Sequence, residues 1–141
     1  MKKRVVQSLA LLMVIFLTGV SCSEDNPIFT KEHTEGCIDP GDLEIFARLG
    51  GPAGPFYGGA DVQLFLSEND RANGNVYKLA TTPTSNPDLN GAMFYDLAFQ
   101  QYYIKIQFVY DDGTGDATYT GTTEAYAPTC TTTKVHVACV K

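Results

Sequence analysis

Residue types that carry out acid, base and nucleophilic chemistry are scarce in this sequence. It contains two histidines, His33 and His136. His136 alternates with two flanking valines, so in a strand it points away from them toward solvent. No Gly-x-Ser-x-Gly motif occurs, and the serines after residue 22 have no histidine nearby in sequence: Ser23, Ser67 and Ser85. The sequence therefore predicts a protein that is not an enzyme.

Metal-binding patterns are also missing from the sequence. The spacing Cys-x₂-Cys does not occur, and cysteines of an exported protein are more often oxidised than used for metal binding. Asp111, Asp112 and Asp116 could supply oxygen ligands to Ca²⁺, but the run lacks the length and the acidic residue of a calcium loop. We expect a solvated hairpin tip there, no metal and no cofactor.

Aromatic residues are the side chains best suited to a binding role. There are 8 tyrosines and 8 phenylalanines, and tyrosine combines an apolar ring with a polar hydroxyl that suits carbohydrate or protein contact. We predict that Phe56 and Tyr57, in a loop at residues 50–59, form part of the contact surface, with Tyr95 and Tyr103 next. Loss of Tyr57 should then leave thermal unfolding nearly unchanged. The alternative is that these tyrosines are half-buried cross-strand residues.

Length and charge limit the class of protein. The chain has 141 residues and a net charge of −6, which allows one small domain and excludes a nucleic-acid binder, because phosphate binding depends on clustered basic residues. Charged residues make up only 18% of the chain. The abundance of Thr, Gly, Tyr and Phe favours strands and turns over helices.

Apolar and polar residues alternate along seven short segments, at residues 43–49, 61–66, 76–81, 92–97, 101–110, 117–122 and 131–139. In the first segment, Leu43, Ile45, Ala47 and Leu49 share one face. The fifth is the longest and is expected to be central. The pattern predicts an all-β fold, a single seven-stranded Greek-key β-sandwich at residues 42–141, with polar loops at 50–59, 67–75 and 82–91 and no helix of two turns.

The N-terminal residues have the composition of an export signal. Lys2, Lys3 and Arg4 precede an apolar run at residues 9–17, which is too short to cross the ~30 Å hydrocarbon core of a membrane. Residues 1–21 are therefore predicted to be a signal peptide. Residues 22–41 are acidic and contain proline and glycine, so they are predicted to be a flexible tether.

The sequence Gly-Val-Ser-Cys at residues 19–22 resembles the bacterial lipobox, in which the cysteine is diacylated and becomes the first residue. Gly19 stands where the lipobox usually has leucine, a departure that Bacteroidetes lipoproteins tolerate. Ser-Glu-Asp at residues 23–25 resembles their export tag for the outer leaflet. The resemblance implies that a lipid on Cys22 anchors the protein in the outer membrane, facing the cell surface. A secreted or periplasmic protein is the alternative.

A second resemblance covers part of the predicted sandwich. It is carried by Gly-Ala-Asp-Val-Gln-Leu-Phe-Leu at residues 59–66, Asn-Gly-Ala-Met-Phe-Tyr-Asp-Leu at 90–97 and Tyr-Tyr-Ile-Lys at 102–105. These segments resemble the carboxypeptidase-regulatory-like, prealbumin-like (transthyretin-like) domain. Hydrolases of the prealbumin-like fold depend on histidines, an arginine and a C-terminal Tyr-Arg-Gly-Ser, whereas this chain ends in Cys-Val-Lys. The resemblance therefore implies a fold and no activity.

Three cysteines remain if Cys22 carries lipid. Cys130 and Cys139 should not pair with each other, because the intervening strand would hold them roughly 30 Å apart. In the prealbumin-like fold the first and last strands are parallel neighbours, which implies that Cys37 meets Cys130. An antiparallel arrangement would select Cys139 instead.

Together these patterns predict a surface lipoprotein with a non-catalytic binding or structural role. Its partners would be the membrane, through the lipid, and an envelope protein or a glycan. The alternative is an accessory or regulatory module of an exported glycan- or peptide-processing system. A small secreted hydrolase would need a pocket that combines His136, Arg48 or Arg71, and a carboxylate.

Replacement of Cys22 by serine tests the anchor. Because acyl chains would hold the protein in membranes, Cys22→Ser should move it from the detergent phase to the aqueous phase in Triton X-114 partition. A wild-type protein that is already in the aqueous phase contradicts the lipoprotein prediction.

Overall fold

The structure, a computed structural model, describes residues 38–141. Eight strands and one short helix follow along this part of the chain: β1 (Gly41–Leu49), β2 (Phe56–Tyr57), β3 (Asp61–Phe65), α1 (Glu68–Asn73), β4 (Lys78–Thr81), β5 (Ala92–Leu97), β6 (Gln101–Asp111), β7 (Asp116–Tyr126) and β8 (Thr132–Cys139). The predicted signal peptide, Cys22, Cys37 and most of the predicted tether lie outside the described residues.

The strands form two sheets of four strands each. In the first sheet β8 runs parallel along one edge of β1, while β5 and β2 pair antiparallel with the beginning and the end of its other edge. The second sheet has the order β4-β3-β6-β7 and is antiparallel throughout. The prediction of an all-β fold is confirmed, and β6 occupies an interior position as expected.

Period-two alternation directs one face of each sheet into a shared core. Leu43, Ile45 and Ala47 of β1 are buried, as predicted, and they belong to one cluster with Ile104 and Ile106 of β6. Burial of an aliphatic side chain of this kind contributes roughly 1.5–3 kcal/mol. The hydrophobic effect on these inward faces is therefore what holds the sheets together.

The polar segment at residues 67–75, predicted to be a loop, contains α1. The Ser67 hydroxyl accepts a hydrogen bond from the Asp70 backbone N–H at 3.0 Å, and Gly74 ends the helix with a φ of 74°. These are ordinary cap residues, and glycine takes a positive φ without strain. The helix has six residues, so it is shorter than the two turns that the sequence analysis excludes.

The largest differences from the predicted strand boundaries lie in two other places. Phe56 and Tyr57, predicted to lie in a loop, form β2 by pairing with Arg48 and Ala47, which raises the number of strands above the predicted seven. The strand predicted to end at residue 122 continues to Tyr126, because β7 pairs with β6 along the whole length of both strands.

The parallel pairing of β1 with β8 determines where the cysteines lie. Register pairs run from Asp42 and Thr132 to Leu49 and Cys139. The beginning of β8 therefore lies beside the beginning of β1, where the Cys130 backbone N–H donates to the Asp39 carbonyl oxygen at 3.1 Å. Cys139 is a free thiol buried at the opposite end, and burial raises its pKa to about 11. The antiparallel arrangement that would have selected Cys139 as the partner of Cys37 is not observed.

The end of β8 also approaches the second sheet. Thr120 and Val140 exchange backbone hydrogen bonds of 2.9 and 3.1 Å. Beside them, a Cβ on Gly121 would lie 2.5 Å from the Ala138 carbonyl oxygen, closer than a carbon atom can approach. The absence of a side chain at Gly121 therefore permits this contact between the two sheets.

Tyr57 packs between the sheets and does not project freely from a loop. Its ring stacks on Phe108 with the centroids 4.1 Å apart, and its hydroxyl donates to the Val109 carbonyl oxygen at 3.1 Å. The ring also meets Tyr110 edge-on at 5.9 Å. Because Tyr57 belongs to the first sheet and its partners to the second, it fastens one edge of the sandwich.

This contact predicts a result opposite to the one expected from the sequence. Tyr57→Ala should lower the free energy of unfolding by about 2–3 kcal/mol, because it removes stacking area and leaves a cavity. Urea denaturation measures the loss. Tyr126→Ala is the matched control, since that ring is 58% exposed and its removal should have little effect. Equal stability of the two variants would contradict a packing role for Tyr57.

Candidate functional site

Alternate residues of β8, β1, β5 and β2 point away from the core and form what we call the outer face. Outward positions next to one another in the register include Glu44 with Lys134, Phe46 with His136, Glu44 with Met93 and Arg48 with Phe56. Tyr95 follows Met93 on the same side of β5. Charged, aromatic and aliphatic side chains are thus brought together from four segments that are distant in sequence.

A charged pair lies near the centre of the outer face. Glu44 is only 9% exposed, and its Oε1 accepts from the Gly91 backbone N–H at 3.0 Å while its Oε2 lies 3.1 Å from the Lys134 Nζ. A buried carboxylate is costly unless such partners stabilise it. A Cβ on Gly91 would lie 2.7 Å from the Ile45 carbonyl oxygen, so glycine allows the loop to come close enough to donate.

One end of the outer face is closed by aromatic packing. Phe46 is 2% exposed although it points away from the core, because the rings of Phe56 and His136 meet it edge-on at 5.7 and 5.0 Å. The Arg48 guanidinium lies over Phe56 at 4.0 Å and donates to the Gly54 carbonyl oxygen at 2.9 Å. We call these four side chains, Phe46, Phe56, His136 and Arg48, the aromatic cluster.

The position of His136 limits the chemistry that it can perform. Its Nδ1 lies 3.4 Å from an Arg48 nitrogen, and since arginine only donates, Nδ1 must accept and the proton lies on Nε2. Burial lowers the pKa of His136, and the nearby charges of Arg48 and Lys134 lower it further, while Glu44 opposes them. The imidazole is therefore held neutral with its basic nitrogen already occupied.

The other end of the outer face is open and forms a shallow depression of about 750 Å³, which we call the β5 groove. Its lining consists of Glu44, Pro83, Ser85, Asn90, Gly91, Met93, Tyr95, Thr132 and Lys134. Tyr95 is 58% exposed, and its carbonyl oxygen accepts from the Lys78 Nζ at 2.8 Å. That contact ties the backbone of β5 to the neighbouring sheet at the residue that projects into the groove.

The four aromatic residues predicted to bind do not lie together. Phe56 belongs to the aromatic cluster, Tyr57 packs between the sheets, and Tyr95 borders the β5 groove. Tyr103 lies on the opposite face of the molecule, on β6, where the Arg71 guanidinium is 5.5 Å from its ring. Of the four, Tyr95 alone borders the groove.

Several groove residues were not identified from the sequence. Glu44, Lys134 and Asn90 lie on three segments whose proximity depends on the pairing of β1 with β8 and on the course of the loop at residues 82–91. The only sequence signal was a charged residue at an outward position of each strand, which ordinarily indicates a solvated surface. No spacing rule relates two charges 90 residues apart.

Hydrolysis would need a pocket that combines His136, an arginine and a carboxylate, and the structure brings these groups together only in part. Arg48 and His136 are in contact and Glu44 lies on the same face, but the arginine donors and the histidine acceptor are directed at each other and at backbone. A base must have a free nitrogen within reach of the proton that it removes. Arg48 and His136 are therefore engaged in packing contacts on the outer face.

The acidic hairpin tip is occupied by internal contacts. Asp112 accepts from Thr114 and forms an ion pair with Lys141 at 2.9 Å, and these partners lower the pKa of Asp112. Across residues 38–141, no three His, Cys, Asp or Glu side chains are placed to hold a metal ion. In the same region, α1 is neither long nor apolar enough to cross a membrane.

Comparison of the sequence with protein-family models and with curated proteins finds no match. The chemistry of the outer face itself therefore indicates what it can bind. It offers a ligand a closed aromatic end, an ion pair in which Glu44 is buried and Lys134 is exposed, and an open groove lined by polar groups.

The lowered pKa of His136 predicts how stability depends on pH. Because folding lowers the pKa of this base, its contribution is fully present above the unfolded value of about 6.5 and is lost as the pH falls toward the folded value. Wild-type protein should lose more stability than His136→Gln between about pH 7.5 and pH 5, measured by urea denaturation. Identical pH profiles of the wild type and His136→Gln would show that folding does not lower the pKa of His136.

Proposed function

We propose that the protein is an exported lipoprotein, anchored in the outer membrane through Cys22, whose β-sandwich is a binding module without catalytic machinery. The observation that carries the binding role is the division of the outer face. The aromatic cluster is closed by its own contacts, whereas the β5 groove presents an exposed tyrosine and uncommitted polar groups. Such a surface suits recognition, because contact side chains on a rigid sheet bind without a large ordering cost.

We further propose that the fold is a prealbumin-like Greek-key sandwich. Parallel pairing of the first and last strands, as the resemblance implies, supports it. Two four-stranded sheets also suit this proposal. The short β2 is then an addition to the seven strands that the pattern of the sequence predicts.

A disulfide between Cys37 and Cys130 is part of this proposal. The chain at Asp39 lies beside Cys130, whose Sγ is 3.6 Å from the Asp39 carbonyl oxygen, and Cys37 stands two positions before Asp39 in the sequence. A disulfide between Cys37 and Cys130 would close a loop of about 90 residues, which would contribute on the order of 4 kcal/mol in the chain-entropy model. The bond would fasten the start of the domain to the last strand at the point where the tether joins it.

Binding rather than turnover is supported by the state of the ionisable groups. Catalysis needs an acid or base whose pKa and position match the reaction. Burial and then the charges of Arg48 and Lys134 lower the pKa of His136, and the Glu44 carboxylate is engaged by Lys134 and Gly91. These contacts stabilise the sheet and engage both ionisable groups, which favours binding over proton transfer.

The proposal is tested by binding to intact cells that lack the gene. A Cys22→Ser protein, free of the proposed anchor, is added to the cells and the retained fraction is quantified with an antibody. Tyr95→Ala should weaken retention by at least about fivefold, since exposed tyrosines at the centre of a contact contribute more than 1 kcal/mol. Tyr126→Ala, whose ring is equally exposed on the other sheet, should leave retention unchanged.

Equal retention of the wild type and the two variants would overturn the proposed binding surface. Turnover of esters, peptides or glycosides by the purified protein would overturn the non-catalytic role.

A further inference from the structure

We propose that the β5 groove binds a neutral saccharide, an inference that rests on the proposed function and specifies its ligand. A pyranose ring has an apolar face of C–H groups and a rim of hydroxyls that both donate and accept hydrogen bonds. The groove must therefore supply an exposed ring at its edge and ambivalent polar groups around it, without a strong net charge.

Tyr95 supplies the exposed ring. It is 58% exposed, and the adjacent outward residue on β5, Met93, extends the apolar surface beside it. No side-chain hydrogen bond within residues 38–141 engages the Tyr95 hydroxyl, while the contact of Lys78 with its carbonyl oxygen fixes the backbone at 2.8 Å. The backbone that carries the ring is thus held in place, and the ring and its hydroxyl are available to a ligand.

Polar groups of the required kind surround the ring. Ser85 and Asn90 come from the loop at residues 82–91, and neither side chain takes part in a hydrogen bond among the described residues. Thr132 makes only a long contact of 3.5 Å with Asp42. Hydroxyl and amide groups both donate and accept, so they match sugar hydroxyls in either orientation. Lys134 retains further N–H donors beyond the one directed at Glu44.

Charge argues against an anionic ligand. The floor of the groove contains the Glu44 carboxylate, and Asp42 and Asp96 lie on the adjoining ends of β1 and β5. Lys134 is the cation of the groove, and Glu44 already neutralises it at 3.1 Å. A phosphate or an acidic sugar would meet no uncompensated positive charge there, whereas a neutral polyol would not be repelled.

The geometry of β5 argues against an extended peptide. Peptides commonly bind a sheet by adding a strand to a free edge, which requires unpaired backbone groups. On β5 the Tyr95 carbonyl oxygen is occupied by Lys78, and a charged lysine at an edge disfavours strand addition. The groove lies on the face of the sheet, where side chains and not backbone make the contacts.

The test extends the cell-binding experiment. Cells are oxidised with periodate, which cleaves vicinal diols of saccharides, and control cells receive periodate that has been quenched beforehand with ethylene glycol. Retention of the Cys22→Ser protein should fall by at least about tenfold on oxidised cells. Neutral and acidic polysaccharide fractions of the same envelope, separated by anion exchange, then serve as competitors, and only the neutral fraction should compete.

Variants of Tyr95 test whether competition by the neutral fraction depends on the β5 groove. Tyr95→Ala should abolish competition by the neutral fraction, Tyr95→Phe should retain part of it because the ring face remains, and Tyr126→Ala should behave as wild type. Thermal unfolding of all three should match the wild type, since both rings are exposed.

The outcomes separate this inference from the proposed function. Tyr95-dependent retention that survives periodate, or that the acidic fraction alone displaces, overturns the neutral saccharide as the ligand and leaves a binding module with another ligand. Absence of any Tyr95-dependent retention overturns the binding surface itself.

Discussion

The structure depends on the parallel pairing of the first and last strands. Asp42 to Leu49 are matched one by one with Thr132 to Cys139, and parallel neighbours cannot be joined by a tight hairpin. The whole remaining domain therefore forms the connection between them. Contacts of such long sequence separation are slow to form but tie the two ends of a domain into one cooperative unit.

This pairing also creates the outer face. An antiparallel β8 would have reversed the order of its outward residues along β1, so Lys134 would not meet Glu44 and His136 would not meet Phe46. In the observed register, each of these residues finds a partner directly across the strand pair. Cross-strand pairs are the contacts that stabilise a sheet surface, and here they divide the surface into a packed end and an open end.

The edges of the sandwich are closed by different means. On one side, the side chain missing at Gly121 lets β8 approach β7 closely enough for Thr120 and Val140 to exchange hydrogen bonds. On the other side, Lys78 of β4 donates to the carbonyl oxygen of Tyr95 on β5. Both devices protect strand edges that would otherwise be open to intermolecular pairing, and the second also fixes the residue that borders the groove.

The sequence by itself determined seven of the eight strands and their inward faces. The alternation of Leu43, Ile45 and Ala47 is local information, because the two sides of a strand differ by one residue and burial selects one of them. The same local pattern predicted that His136 points away from the core. It did not predict the ring of Phe46 beneath it, since no alternation rule reports what a strand from elsewhere in the chain will place there.

Tertiary structure alone decided the roles of the aromatic residues and of the charges. Tyr57 and Tyr95 were both predicted to be contact residues, Tyr57 in a loop and Tyr95 in a strand, yet Tyr57 stacks on Phe108 and Tyr95 is exposed. Glu44 and Lys134 were ordinary outward charges until the strand pairing brought them to 3.1 Å. The exposure of a side chain and its ion-pair partner depend on which strands become neighbours and in which register. Local periodicity does not encode strand order or register.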